Sequence, residues 1–243
     1  MLRNVSTLLV LAAILVPGCD VLDPLGELEH DRTLLSVGVT HHATLEAGSY
    51  PDRGGAGELR TFETDEGWTV TLLSAFVTSA GVTLHGCNDA RVDLGLYSGP
   101  LAEDLRGADL DTLTLGGVDL GASEFCGATI TYGPYPTNSP MTGLEPEVAG
   151  ATFWIDGGAT LGGTTVPFQL RSEASIVVDV DLSTIDDGGP LRIRGSEDFP
   201  VELVLSKTYD RLFDAVDFAS ATTDDLTAQV TAALALETRA TVD

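Results

Sequence analysis

Leu34-Leu35-Ser36-Val37-Gly38-Val39-Thr40-His41-His42 alternates with a period of two. Leu35, Val37, Val39 and His41 fall on one side, and Leu34, Ser36, Gly38, Thr40 and His42 on the other. Successive side chains of a strand point to opposite faces, so the stretch reads as a half-buried strand. The same period continues outward. Residues 59–64, a turn at Asp65-Glu66-Gly67 and residues 68–79 read as a long hairpin, with Ala80-Gly81 turning into Val82-Thr83-Leu84-His85. Further strands are expected over 91–97, 127–132, 151–155, 164–171, 174–182, 190–194 and 201–208. Short strands separated by Gly, Pro and Asp turns, with no long helices alternating between them, predict a mainly β fold, an antiparallel β-sandwich.

The C-terminal part breaks the pattern. Tyr209-Asp210-Arg211-Leu212-Phe213-Asp214-Ala215-Val216-Asp217-Phe218 reads as a helical turn with Leu212, Phe213 and Val216 inward. Thr222 and Asp225 resemble a capping box, and Leu226, Val230, Ala233 and Leu234 follow as one apolar stripe. A helix over 223–238 is therefore expected to cover an end or edge of a sandwich of immunoglobulin-like or jelly-roll-like type. Leu105, Leu110, Leu115 and Leu120 recur every five residues, too few units to stack as a coil, so this segment reads as an irregular loop. The Pro-rich stretch 133–148 reads as a long exposed loop, a place where binding functions often sit.

The start of the chain states where the protein is delivered. One positive charge in Met1-Leu2-Arg3-Asn4 precedes an apolar run over 5–16 and then Pro17-Gly18-Cys19. This is the layout of a secretory signal, too short to span a bilayer stably. With Cys directly after a small residue, Val16-Pro17-Gly18-Cys19 resembles the lipobox of bacterial lipoproteins. The resemblance implies removal of 1–18, lipidation of Cys19, a tether over 19–32 and one sandwich domain over 33–243. Two or more acyl chains hold a protein stably on a membrane where one does not. The expected location is the bacterial cell envelope, lipid-anchored and facing the periplasm or the cell surface.

Composition narrows the partners. With 37 acidic against 12 basic residues the chain carries a net charge of −25, which repels nucleic acid and anionic lipid surfaces. An envelope protein or a small ligand is left as the partner. Cys87 and Cys126 are the remaining cysteines, and in an oxidising compartment an even pair reads as a disulfide. The rival reading is a thiolate metal site that includes His85.

Four histidines, His30, His41, His42 and His85, make metal binding the sharpest functional idea. Period two sends His41 to the face of Val37 and Val39, and puts His42 and His85 on polar faces, so His42 and His85 are the candidate ligand pair. Asp179, Asp181, Asp186 and Asp187 lack the spacing of a calcium loop and read as solvated charge. Motifs for metalloproteases, serine hydrolases, nucleotide binding and dithiol redox chemistry are absent, so no enzyme and no catalytic residue is expected. An exported sandwich with Val201-Glu202-Leu203-Val204-Leu205 followed by the 209–218 segment resembles periplasmic copper-binding proteins of the MbnP type. That resemblance implies an immunoglobulin-like fold and His ligands for copper, with an oxidised Trp in some members. Trp68 and Trp154 have no His within two residues, so no site residue is carried over. The expectation is a non-catalytic binding or structural domain without cofactor. The alternatives are a copper or other transition-metal accessory protein and a secreted hydrolase.

Overall fold

The computed structural model describes residues 32–51, 59–138, 143–195 and 200–242. The signal peptide, Cys19 and the tether up to Asp31 lie outside the described residues, as do His30 and residues 139–142 of the Pro-rich stretch. In chain order the elements are β1 (Thr33–His42), β2 (Arg60–Glu63), β3 (Thr69–Gly86), β4 (Arg91–Asp93), β5 (Gly95–Leu96), β6 (Leu101–Asp104), β7 (Leu113–Leu120) and β8 (Ser123–Tyr132). They continue with β9 (Phe153–Leu161), β10 (Thr164–Ser172), β11 (Ile176–Asp181), β12 (Leu191–Ile193), β13 (Val201–Thr208), helix α1 (Thr223–Glu237) and β14 (Thr238–Val242).

Two sheets enclose one core. The smaller has the order β14-β13-β1-β7-β5. The larger follows β10-β9-β3-β8-β11, with β2, β4 and β6 also paired to β3 and β12 paired to β8. The alternation read from β1 holds: Leu35, Val37 and Val39 are fully buried, and they join Val82, Leu84 and Ile130 of the larger sheet in the same cluster. The expected sandwich with a C-terminal helix is thus what the chain forms. One pairing departs from antiparallel. β1 and β13 run parallel, with His41 opposite Lys207, which the long intervening chain permits.

Three local expectations need correcting. Ala80-Gly81 does not turn; β3 runs straight through it, and a register shift against β8 between Ser79 and Gly81 absorbs the irregularity as a bulge. The leucine-spaced segment is not an irregular loop. It follows β6 and holds β7, and burial of Leu105, Leu115 and Leu120 draws it into the sandwich, while Leu110 adopts a positive φ in the connection and stays exposed. The described part of the Pro-rich stretch is not simply exposed. Tyr135 and Val148 pack with Phe76 and Ala102 in a second, small cluster, joined by Leu144 and Trp154.

α1 packs on β10, β11 and β13, with Leu226, Val230, Ala233 and Leu234 buried as the stripe predicts. Its capping box forms: the Asp225 amide donates to Thr222 Oγ1 at 3.2 Å, and the Thr222 amide donates to the Asp225 carboxylate at 2.9 Å. Thr222→Ala removes the acceptor for an otherwise unpaired amide and is expected to cost about 1 kcal/mol, read as a lower urea midpoint with an unchanged slope. Ahead of the helix, Phe213 and Phe218 close on Phe168 at 5.2 and 5.4 Å between ring centroids.

The chain enters β1 at one particular end of the sandwich. Thr33 Oγ1 donates to the Gly195 carbonyl, and Arg32 donates to the Asp119 carbonyl at 2.8 Å. The start of β8, the Cys87–Cys126 bridge and β12 lie toward this same end.

Candidate functional site

The sequence singled out His42 and His85, and the structure does not bring them together. His42 points out of the smaller sheet, where Nδ1 lies 2.8 Å from the Ala43 carbonyl and the ring tilts on Tyr50 at 4.8 Å. His85 points out of the larger sheet, with Nε2 2.6 Å from Thr129 Oγ1. Each side chain faces away from the core the two sheets share. Among the described residues no group of three His, Cys, Asp or Glu side chains converges as a metal site. Asp179 accepts from Thr129 at 2.6 Å and Asp181 from the Ser183 amide at 2.8 Å, so these carboxylates are engaged locally. Cys87 and Cys126 are joined as a disulfide, with Cα atoms 4.9 Å apart, which closes the thiolate alternative.

A cleft of about 810 Å³ opens beside that disulfide. Cys87, Val92, Phe125 and Ile193 line it together with Arg192 and Arg194. Arg192 pairs with Glu124 at 3.2 Å. In a chain this acidic, two arginines on one short strand and its exit are a local departure from the overall charge.

The most unusual chemistry is inside the sandwich. β1 and β13 both point odd-numbered residues into the core, so the register pair His41 and Lys207 stands side by side there. From the larger sheet β6 points Glu103 at them. Glu103 Oε1 lies 2.8 Å from His41 Nδ1, and Glu103 Oε2 lies 2.5 Å from Lys207 Nζ. All three are buried: His41 is 3%, Glu103 1% and Lys207 2% exposed. Lys207 also donates to the Thr40 carbonyl at 3.3 Å and sits 5.8 Å from the Tyr132 ring centroid. Burial pushes the Glu103 carboxyl up, but the Lys207 ammonium and the His41 contact outweigh it and hold the group below the usual carboxylate range. Burial likewise disfavours the charged amine, and Glu103 and Tyr132 together more than offset it, so Lys207 titrates above its ordinary value. Burial raises the Tyr132 hydroxyl.

A second polar knot adjoins the first. Arg60, only 1% exposed, reaches the Tyr209 hydroxyl at 2.6 Å, pairs with Asp109 and donates to the Gly107 carbonyl. Asp109 in turn accepts from the Ala43 amide at 3.2 Å, and the Tyr209 ring meets His41 edge-on at 5.9 Å between centroids. Charged groups in a core persist only when paired and hydrogen-bonded, and each of these pairs ties β1, β2, the β6–β7 connection and the segment after β13 to one another.

Sequence reading placed His41 correctly on the core face but missed the cluster. Its one available sign was Lys207, the only lysine in the chain. Glu103 carried none, because its short stretch shows no apolar alternation that would mark a strand.

No family model matches the sequence, and no curated protein matches it. Among solved structures it is similar to MbnP from Methylosinus trichosporium, at 11% identity and a TM-score of 0.39 over 79% of each chain, a weak structural resemblance.

Proposed function

We propose that the chain is an exported, lipid-anchored protein of a bacterial cell envelope, and that its sandwich is a non-catalytic binding or structural domain. The observation that carries this reading is the Cys87–Cys126 disulfide, since such bonds persist in oxidising compartments and not in the cytosol. It agrees with the apolar run and Cys19 at the start of the chain. The cleft beside the bridge has the size of small-ligand sites and is where a ligand is to be sought. Fractionation tests the anchor. The chain expressed in a bacterium is expected in the membrane fraction with incorporated fatty-acid label, and Cys19→Ser is expected to move it to the soluble envelope fraction without label. Membrane retention of the unlabelled Cys19→Ser variant would sink the anchor.

A transition-metal accessory role is the alternative, and its test is separate. After incubation with copper and desalting, elemental analysis is expected to find no stoichiometric metal, because His42 and His85 face away from each other. Stoichiometric copper that disappears in a His42→Ala, His85→Ala double variant would establish the accessory reading instead.

A further inference from the structure

Lys207 is the only lysine among 243 residues, in a chain that otherwise uses arginine for every positive side chain. Arginine is the better partner for a buried ion pair, being planar, bidentate and weakly hydrated. What a lysine offers and an arginine does not is a nucleophilic amine once its proton is lost. Here that amine is held 2.5 Å from a carboxylate oxygen, in a core from which water is excluded, with an imidazole 2.8 Å from the other oxygen of the same carboxyl.

The hydrogen bonds bear on where the protons are. His41 Nε2 lies 3.2 Å from the Gly107 carbonyl oxygen, which only accepts, so Nε2 carries a proton. In the neutral ring Nδ1 is then an acceptor facing Glu103 Oε1, and the contact is satisfied when Oε1 carries a proton of its own. Moving one proton within the Lys207–Glu103 pair supplies it. The result, a neutral carboxylic acid donating to His41 beside a neutral amine, is the minor and reactive form, since the attraction between the two charges outweighs burial and favours the ion pair.

We propose that Lys207 and Glu103 are joined in the folded protein by an intramolecular isopeptide bond from Nζ to Cδ. The bond forms by condensation. Nζ bonds to Cδ and gives up one proton, the Cδ–Oε1 bond breaks, and Oε1 leaves as water carrying its own proton and the one lost by Nζ. His41 Nδ1, in contact with Oε1, holds and returns the proton as the oxygen departs. No oxidant or co-reactant takes part. The product ties β13 of the smaller sheet covalently to β6 of the larger one.

The full chain, purified from an exporting bacterium, reduced and digested with trypsin, tests this directly. The expected product is a branched peptide joining residues 92–106 to 195–211 through Lys207, one water lighter than the two together, because trypsin does not cut after an acylated lysine. Lys207→Arg is expected to give 92–106, 195–207 and 208–211 as separate peptides, because trypsin also cuts after an arginine at that position, and His41→Ala to lower the branched fraction. Unbranched 92–106 together with cleavage after Lys207 in the unsubstituted chain would overturn the proposal, whatever the variants do.

Discussion

Replacing Lys207 by Met alone is expected to destabilise the domain by about 3–5 kcal/mol, the penalty for stranding one member of a buried charge pair. Glu103 then remains 1% exposed with only His41 beside it. Glu103→Leu alone strands the amine and is expected to cost a similar amount. The double variant, Lys207→Met with Glu103→Leu, is expected to regain much of the loss seen in either single variant, because apolar groups of similar volume need no partner. Urea titrations of the three variants check this; a double variant as unstable as the sum of the singles would contradict it. A pH series adds a second readout. Burial raises the Glu103 carboxyl, and Lys207 and His41 together lower it by more, so an ion pair contributes stability above the ordinary carboxylate range and loses it as pH falls through the depressed folded value. Burial lowers Lys207, and Glu103 and Tyr132 together raise it by more, so its contribution is complete below the ordinary lysine value and disappears as pH rises through the folded value. An amide titrates at neither end, so covalently joined molecules are expected to lack both limbs.

Reduction of Cys87–Cys126 is expected to cost about 4 kcal/mol in the chain-entropy view, given the loop that the bridge closes. The two cysteines are 39 residues apart in sequence, and the loop contains β4 to β7 and the first part of β8. The effect also has a place. The bridge sits just beyond the end of β3, where the Cys87 amide donates to the Glu124 carbonyl at 3.1 Å and the register against β8 shifts between His85 and Gly86. Losing it is expected to loosen the cleft before the far end of the sandwich. Urea titration with and without reductant, and of a Cys87→Ala, Cys126→Ala variant, measures the cost. Coincident curves would mean that the bridge contributes nothing to the folded state.

Strands with strict alternation were legible because one face of each had to be apolar. β1, β10 and β11 are of this kind, and the helix was legible for the same reason at a different period, with Thr222 and Asp225 marking its start. β6 and β7 were not. β6 is four residues long and its inward side chain is a carboxylate, the opposite of the expected pattern. β7 contains Gly116-Gly117, which reads as a turn, yet a Cβ on Gly116 would run into the Gly95 carbonyl oxygen of the neighbouring strand. Glycine there serves close approach of two backbones, a requirement visible only once the strands are paired. The buried cluster was hidden for a related reason. His41 and Lys207 are 166 positions apart, and only the parallel pairing of β1 with β13 makes them neighbours.

The entry of the chain into β1 fixes the end of the sandwich from which the N-terminal segment leaves. Arg32 and Thr33 are fastened beside Asp119 and Gly195, at the end that carries the bridge, Arg192 and Arg194. With Cys19 held in a bilayer, the intervening residues, fully stretched, would reach at most about 45 Å. The cleft would then lie at the end from which that stretch leaves the domain, and His41, Glu103 and Lys207 toward the end farther from it. A partner approaching that far end would meet Tyr50 beside His42, since His41, Glu103, Lys207 and Arg60 are buried beneath the surface.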